Sequence, residues 1–284
     1  MDKFCDLHAH SNYSDGTFSP TQLLDAAEDA GLSAIALCDH NTVLGLPEFL
    51  AAARGRAVEA VPGAEFSTDY QGVELHILGL FIRPEHFDNI TAFMEDARQR
   101  KERSNRELVQ ALSAAGYPMD YDRMKNRTPS GQLNRSHIAA EMTELGYTAT
   151  RQEAFARFLS PKCGYYNPPE RIGAFQMIEL IRSMGAAAVL AHPFLNLKEE
   201  AALRGFLGPA KEAGLSGMEV LYPLFDREKT QLASALAKEF ELLPSGGSDF
   251  HGANKPDIWL GSGKGELAVP LSFLDGLKKS IQNG

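Results

Sequence analysis

The chain has few cysteines, one tryptophan and no long hydrophobic run. Its three cysteines are an odd number without the spacing of a disulfide framework, which argues against a disulfide-rich secreted scaffold. No apolar run approaches the roughly 18 residues of a membrane-spanning helix, and no basic segment followed by an apolar stretch opens the chain. We therefore expect a cytoplasmic protein without a membrane anchor, and no obligate protein partner is evident.

The charge balance is acidic, with a formal net charge of −9. Such an excess argues against a protein that holds long nucleic acid by neutralising many phosphates. It does not exclude a small anionic substrate, because bound metal ions would reverse the local field. The contents of 44% hydrophobic and 23% charged residues are ordinary for a globular protein.

Strand-like and helix-like segments alternate in the first and last thirds of the chain. Strands are predicted at 4–7, 33–38, 57–61, 73–81, 186–191, 217–221 and 242–245, mostly as apolar runs typical of buried parallel strands. Residues 84–171 show helical patterns without a convincing strand. The sequence therefore predicts an α/β barrel-like domain, built from residues 1–83 and 172–284, that is interrupted by a helical insertion at 84–171.

Nine residues with metal-binding side chains lie mostly where these predicted strands end. They are His8, His10, Asp15, His40, Glu65, His76, His192, Asp249 and His251. Barrels of this class build their active sites from the carboxyl ends of several strands, so these side chains are expected to converge. A set of this size can hold more than one divalent ion, which indicates hydrolytic chemistry.

Each of these residues has a simpler interpretation when it is taken alone. A single histidine, such as His76 in the middle of a strand, is more commonly a hydrogen-bonded structural residue, and Asp39-His40 resembles a turn cap. The pair His8 and His10 is more specific, because residues two apart on a strand point to the same face. Five separate segments that all carry such residues at strand ends favour a multinuclear metal site.

The ordered motifs resemble those of the polymerase and histidinol phosphatase (PHP) family. They are Asp-Leu-His-Ala-His-Ser at 6–11, Ser-Asp-Gly at 14–16, Asp-His at 39–40, Gly-Ala-Glu at 63–65, Ala-His-Pro at 191–193 and Gly-Ser-Asp-Phe-His at 247–251. The resemblance implies a distorted seven-stranded β/α barrel with three metal ions. The Ser-Asp-Gly motif and the helical insertion are similar to the TrpH-like branch of nucleotide phosphoesterases. Asp15, where some members carry histidine, argues against the histidinol phosphatase branch.

The resemblance also implies a ligand set for each ion. The first ion would take His8, His10, Glu65 and Asp249; the second Glu65, His76 and His192; the third Asp15, His40 and His251. Glu65 and Asp249 would hold the metal-bridging hydroxide that attacks phosphorus. Mixed imidazole and carboxylate ligands suit Mn²⁺, Zn²⁺ or Fe²⁺, and the resemblance favours Mn²⁺.

Candidate substrate contacts lie in the insertion. Asn134, Arg135 and His137 open a predicted helix, where free backbone N–H groups and a guanidinium group could hold a second phosphate. Lys162 and Arg103 are further candidates, although each could equally be a solvated residue on a surface helix.

A metal centre with a separate basic subsite indicates a substrate with two phosphates. Together with the resemblance, this favours removal of the 3′-phosphate from nucleoside 3′,5′-bisphosphates, which yields the 5′-monophosphate. The main alternative is a 5′→3′ exoribonuclease acting on short 5′-phosphorylated oligonucleotides. Histidinol phosphatase-like activity, an amidohydrolase and a non-catalytic accessory domain are further alternatives.

Overall fold

The structure is a computed structural model that describes residues 3–128 and 133–282. Its strands are β1 Phe4–Ala9, β2 Ala34–Leu37, β3 Glu59–Tyr70, β4 Val73–Leu80, β5 Ile172–Gly173, β6 Ala187–Leu190, β7 Gly217–Leu221, β8 Leu243–Gly246 and β9 Val269–Pro270. Its α-helices are α1 Pro20–Asp29, α2 Leu46–Ala52, α3 Phe87–Ala114, α4 Tyr121–Asn126, α5 Arg135–Glu144, α6 Arg151–Ala154, α7 Ala174–Ser183, α8 Pro193–Asn196, α9 Glu200–Ala213, α10 Arg227–Glu239 and α11 Leu271–Gln282.

The strands form one sheet in the order β8-β7-β6-β4-β3-β2-β1-β9, with β5 beside β3. β1, β2 and β3 are parallel, as are β6, β7 and β8, whereas β4 runs antiparallel to both β3 and β6. The sheet nearly closes where Ala9, at the end of β1, bridges Phe250, which follows β8, and the backbone N–H of His10 donates to the Phe250 carbonyl at 2.9 Å. This nearly closed barrel confirms the predicted α/β fold, and its seven longest strands correspond to the seven predicted ones.

Local sequence explains the ends of the first helix. Ser19 accepts a hydrogen bond from the Gln22 backbone, the Gln22 side chain accepts one from the Ser19 backbone, and Pro20 occupies the first turn. This reciprocal cap satisfies N–H groups that a helix otherwise leaves free. Leu23 and Leu24 point into the barrel core, which fixes the helix against the sheet.

The insertion has a hydrophobic core of its own. The side chains of Leu112, Ile138 and Met142 pack together there, separately from the two clusters formed by the sheet and the helices around it. Helix α3 contributes to two clusters, because Leu112 near its end packs in the insertion and Ile90 and Met94 near its start pack with helices of the barrel domain. The division of the chain at residues 84 and 171 stays a prediction. No helix among the described residues is long and apolar enough to cross a membrane.

Candidate metal centre

The strand ends bring all nine candidate ligands to one mouth of the barrel. His8 is on β1 and His10 follows it, and their shared side of the strand faces the site. Glu65 on β3 and His76 on β4 share a face of the antiparallel pair, since Ser67, two residues beyond Glu65, is paired with His76. The nine residues fall into four overlapping groups, and within each group the ligand atoms lie within 4.8 Å of one another. The groups are His10, Asp15, His40 and His251; His8, His10 and Asp249; His8, Glu65 and His192; and His40, Glu65 and His76.

The ligands expected for the first ion lie near one another. The Nε2 atoms of His8 and His10 are 3.1 Å apart and lie 3.4 and 3.3 Å from Glu65 Oε2. The same two nitrogens lie 3.8 and 3.3 Å from Asp249 Oδ1. His8, His10 and Asp249 form one group of ligand atoms within 4.8 Å, whereas Glu65 groups with His8 and His192, so the assignment of all four residues to one ion stays a prediction.

Glu65 is shared among the groups. Its Oε1 atom lies 2.7 Å from His76 Nδ1 and 2.9 Å from His192 Nε2, and its Oε2 atom lies 2.9 Å from His40 Nδ1. This arrangement allows one carboxylate to bridge two ions. A bridging carboxylate of this kind holds the ions of a binuclear hydrolytic centre close together.

The third expected group is centred on Asp15. Its Oδ1 atom lies 3.1 Å from His251 Nε2 and 3.7 Å from His40 Nε2. Because His40 also faces Glu65, this group adjoins the other two and is not an isolated site.

Buried polar atoms in the centre support a metal. Asp15 Oδ1, His40 Nδ1 and Glu65 Oε2 are buried, and although they have close neighbours, none of these contacts among the described residues has the geometry of a hydrogen bond. An unsatisfied buried polar atom is costly, and buried polar groups are nearly always paired. Divalent cations at this point would satisfy all three atoms, so the residues fit the metals that the motifs predict.

The carboxylates of the centre are held in the ionised form that metal ligands require. Burial opposes ionisation of Glu65 and Asp15, but neighbouring imidazoles hold the pKa of both carboxyl groups well below the usual range. Burial likewise opposes ionisation of Asp249, and the Lys255 ammonium group with nearby imidazoles lowers its pKa strongly.

The pKa values of two histidines in the centre are shifted upward, opposite to those of the carboxyl groups. Burial favours neutral His8, yet the carboxylates of Glu219, Glu65 and Asp249 raise its pKa well above the usual value. Burial also disfavours charge on His76, but Glu65 beside it raises the pKa of this histidine to about 10. The centre is therefore strongly attractive to positive charge.

Glu219 on β7 is a functional residue that the sequence analysis missed. Its fully buried carboxylate accepts hydrogen bonds from His8 Nδ1 at 2.9 Å and from the backbone N–H of His192 at 2.6 Å. The second bond fixes a residue whose φ of +28° is unusual for a side chain other than glycine. A glutamate inside the otherwise apolar segment Gly-Met-Glu-Val-Leu was the signal that could have identified it.

Two buried aspartates hold the loops that carry other ligands. Asp39 accepts hydrogen bonds from the Ser11 backbone at 2.8 Å and from the hydroxyls of Ser11 and Ser14, both at 2.6 Å. Asp6 accepts from the Ser248 backbone at 2.9 Å and from its hydroxyl at 2.5 Å. These contacts position the segments that end in Asp15 and Asp249.

A basic cavity of about 150 Å³ adjoins the centre through His40 and His76. Its basic residues are Arg98, Lys101, Arg135 and Arg171, set against Glu74, Glu170 and the candidate ligand Asp15. Glu74 Oε2 lies 2.8 Å from Arg171 Nη2 and 3.7 Å from Arg135 Nη2. The other carboxylate oxygen, Oε1, lies 3.5 Å from His76 Nε2. Four basic side chains and three carboxylates thus line this cavity next to the metal ligands.

Two of the five predicted substrate contacts line this basic cavity. Asn134 caps α5 and accepts a hydrogen bond from Lys101, and the Arg135 guanidinium group stacks on Tyr166 at 4.5 Å from the ring centroid. His137 lies at a different cavity, where its Nδ1 accepts a hydrogen bond from the Asn134 backbone at 3.0 Å.

Arg103 and Lys162 are exposed and do not line the basic cavity. Arg103 points away because it lies two residues from Lys101 on α3, about 200° around the helix, whereas Arg98 shares the Lys101 face. Arg98, Lys101, Arg171 and Glu74 were absent from the predicted set. Arg98 and Lys101 lie on a long polar helix whose charged residues carry no signal of the face that meets the barrel, and Glu74 on β4 and Arg171 before β5 belong to no motif.

Comparisons with known proteins agree with this geometry. The profile of the PHP domain matches residues 6–126. A 5′-3′ exoribonuclease of Haemophilus influenzae is 33% identical over 264 residues, which cover 93% of this chain and 94% of that protein. A 3′,5′-nucleoside bisphosphate phosphatase of Chromobacterium violaceum is 28% identical over 247 residues, which cover 87% and 86%.

A solved structure extends the likeness to the whole fold. A protein of Bifidobacterium adolescentis described as a metal-dependent phosphoesterase superposes with a TM-score of 0.86 at 26% identity, covering 97% of this chain and 95% of that one. The shared profile, the extent of the similarity and the converging ligand atoms confirm the family predicted from the motifs. The chain belongs to the PHP domain family and is a metal-dependent phosphoric ester hydrolase.

Proposed function

We propose that the enzyme hydrolyses the 3′-phosphate of nucleoside 3′,5′-bisphosphates and releases the 5′-monophosphate and phosphate. The observation that carries this proposal is the basic cavity beside the candidate metal centre, which offers a second anion site within the same mouth. A 28% identical relative named a nucleoside bisphosphate phosphatase supports the same substrate class.

The nine clustered residues would hold three divalent ions, with Mn²⁺ as the proposed metal. When bound, such ions lower the pKa of water and neutralise the charge on phosphoryl oxygens. Glu65 Oε2 and Asp249 Oδ1 each lie 3.3 Å from His10 Nε2, and these two carboxylates would hold the hydroxide that attacks phosphorus. In the overall reaction a water oxygen bonds to phosphorus, the bond from phosphorus to O3′ breaks, and O3′ gains a proton.

The 5′-phosphate would bind to Arg135, Arg171 and Lys101. The Arg135 guanidinium group is oriented before substrate arrives, because it stacks on Tyr166 and donates to the Leu159 carbonyl at 3.2 Å. A planar guanidinium group fixed in this way suits bidentate contact with phosphate.

Replacing Arg135 by Met tests whether this residue binds the 5′-phosphate. We expect kcat/KM for adenosine 3′,5′-bisphosphate to fall about 100-fold, since a charge-assisted contact contributes about 2–3 kcal/mol. Adenosine 3′-monophosphate, which lacks the 5′-phosphate, should be hydrolysed at an almost unchanged rate. Phosphate release with Mn²⁺ measures both reactions, and Arg54→Met, at an exposed position away from the cavity, is the control. An equal loss with both substrates would contradict the assignment.

A second candidate is 5′→3′ hydrolysis of short 5′-phosphorylated RNA at the same centre. It is favoured by a cavity of about 250 Å³ that shares Tyr222, Asp249 and Lys255 with the cavity over the metal centre, and by the relative named a 5′-3′ exoribonuclease. Release of mononucleotides from a 5′-phosphorylated RNA trimer, compared with phosphate release from the bisphosphate, distinguishes the two activities. A wild-type enzyme that released neither product with Mn²⁺ would refute both.

A further inference from the structure

Glu74 on β4 lies between the basic cavity and the cavity of about 880 Å³ that covers the metal centre. It lines both cavities, as do His76 and Arg135. Glu74 and His76 are two residues apart on the strand, so their side chains lie on the same side of it. One carboxylate therefore lies between a candidate metal ligand and the arginines of the proposed 5′-phosphate site.

The two ring nitrogens of His76 face different carboxylates. Nδ1 lies 2.7 Å from Glu65 Oε1, within one group of candidate ligand atoms, whereas Nε2 lies 3.5 Å from Glu74 Oε1. A histidine that binds metal through one nitrogen usually donates the other N–H to a carboxylate, which orients the ring and makes it a stronger ligand. Glu74 has this position relative to His76, as Glu219 has relative to His8.

Glu74 differs from Glu219 because its second oxygen faces the basic cavity. Its Oε2 lies 2.8 Å from Arg171 Nη2 and 3.7 Å from Arg135 Nη2, and its side chain is 27% exposed, whereas that of Glu219 is fully buried. The contact of Glu74 with His76 is long for a hydrogen bond. A phosphate that binds the two arginines would compete with Oε2 for their N–H groups, because guanidinium groups bind carboxylate and phosphate in the same way.

We propose that Glu74 couples binding of the 5′-phosphate to metal binding at His76. Phosphate on Arg135 and Arg171 would release Oε2, and the freed carboxylate would shorten its contact with His76 Nε2, so that Nδ1 binds metal more tightly. Metal at His76 would strengthen phosphate binding by the same factor, because coupling between two binding sites is reciprocal. This inference rests on the proposed function, since it uses the same 5′-phosphate site.

Binding measurements without turnover test the coupling. The probe is adenosine 5′-monophosphate (AMP), which carries the 5′-phosphate and lacks the 3′-phosphate. Calorimetry measures the Mn²⁺ affinity of the metal-free protein with and without saturating AMP, and the AMP affinity in EDTA. Coupling between sites typically changes affinity by about 5- to 150-fold, so AMP should raise the Mn²⁺ affinity of the wild type about fivefold or more.

Glu74→Met should change the two affinities in opposite directions. AMP should bind more tightly in EDTA, because the carboxylate that competes for the arginines is gone, whereas Mn²⁺ should bind about tenfold more weakly. The effect of AMP on Mn²⁺ affinity should be lost.

Glu170→Met is the matched control, because it removes the same charge from an exposed position of the same cavity. The Glu170 side chain has no ion pair or hydrogen bond within the part of the chain that the structure describes. This variant should keep the wild-type Mn²⁺ affinity and the wild-type effect of AMP, which excludes attraction between the charges alone as the cause of the coupling.

Arg171→Met acts on the same contact from the other side. AMP should bind more weakly, and Mn²⁺ should bind more tightly than in the wild type, because Glu74 loses its nearest arginine and can move toward His76. A structural defect would instead weaken Mn²⁺ binding in both the Arg171 and the Glu74 variant.

The outcomes separate this inference from the proposed function. An unchanged effect of AMP in Glu74→Met, or weaker binding of both AMP and Mn²⁺ in that variant, would overturn the role of Glu74 and leave the proposed function intact. An AMP affinity that Arg135→Met leaves unchanged would refute the proposed 5′-phosphate site, and the coupling with it.

Discussion

Glu219 shows how a residue outside the nine ligands can organise a metal centre. It contacts His8 from β1 and the backbone of His192 after β6, so one carboxylate sets the orientation of two ligands from distant parts of the chain. Because Glu219 accepts the hydrogen bond from Nδ1 of His8, the Nε2 atom of His8 stays free for a metal. Partners of this kind orient ligands and are about as important for metal affinity as the ligands themselves.

Replacing Glu219 by Gln should therefore weaken metal binding while the fold persists. The amide keeps the size of the side chain but offers one acceptor oxygen where the carboxylate offers two, so one of the two contacts is lost. We expect metal affinity to fall about 10- to 100-fold. Calorimetric titration of the metal-free protein measures this, with Glu179→Gln, at an exposed position on α7, as the control. Unchanged affinity would show that His8 and His192 keep their geometry unaided.

The opposed pKa shifts predict how the metal-free protein responds to pH. The raised pKa values of His8 and His76 (about 10 for His76) stabilise the fold fully below about pH 6.5, and this contribution is lost as the pH rises. The lowered pKa values of Glu65 and Asp15 contribute above about pH 4.3 and are lost as the pH falls. Stability in EDTA should therefore be highest between these limits.

The measurement is the thermal midpoint in EDTA from pH 5 to 9, which should decrease above pH 6.5. Metal binding requires neutral imidazoles, so added Mn²⁺ should release protons and raise the midpoint most at alkaline pH. A midpoint in EDTA that rises between pH 7 and 9 would contradict the assigned pKa directions.

Individual residues differed in how far the sequence identified them. Residues such as His8 and Asp249 carry metal-binding chemistry at positions that a strand pattern fixes, so their convergence could be predicted. Arg171 could not be assigned in this way, because its role depends on which side of the chain meets the site, whereas the only signal for Glu219 was a charged residue inside an apolar strand. Ion assignments and substrate contacts stay predictions.

At the level of elements, the contact between β1 and the loop after β8 determines whether the centre can assemble. The backbone N–H of Asp249 donates to the His8 carbonyl at 2.8 Å, which joins two ligand-bearing segments directly. Gly247 makes this approach possible, because a Cβ atom there would lie 2.4 Å from His8 Cβ and 2.5 Å from its backbone nitrogen.

Gly247→Ala should force these segments apart. We expect a loss of about 1–3 kcal/mol in unfolding free energy, typical of overpacking, together with weaker metal binding. Denaturant unfolding in EDTA measures the first effect. Gly205→Ala is the matched control, because a Cβ atom there would meet nothing within 4 Å and the residue lies inside α9. Gly205→Ala should raise the free energy of unfolding by about 0.5–1 kcal/mol. Similar effects of both variants would contradict the predicted clash at Gly247.

Apolar runs predicted the strands because these strands are buried, but they did not give every boundary. β3 continues to Tyr70, well past the predicted end at residue 61, since its second half pairs antiparallel with β4 through residues that are not a simple apolar run. β5 and β9 contain two residues each and are too short for any periodic signal. The short helix α4 was likewise not predicted.

At the scale of the molecule, the ligands tie together segments from residue 8 to residue 251, whereas the core of the insertion stands apart from them. Metal binding should therefore stabilise the barrel more than the insertion. A ligand that binds only the folded state adds about 2.7 kcal/mol of stability at 100 times its dissociation constant.

Hydrogen exchange can locate this stabilisation. Adding Mn²⁺ to the metal-free protein should slow exchange of backbone amides in β1, β3 and β6, and leave those of α4 and the second half of α5 nearly unchanged. Equal protection of both regions would show that barrel and insertion unfold as one cooperative unit.

The pairing of β1 also has a consequence for synthesis of the chain. β1 leaves the ribosome well before its partners at one edge, which are Phe250 and, in β9, Val269. At about 5–20 residues per second, roughly 12 to 50 seconds pass between the appearance of His8 and that of His251. During this interval the nascent chain carries an incomplete ligand set and an unpaired strand edge. The ligand set expected for the first ion, which includes Asp249, is therefore completed only after β8 has been made.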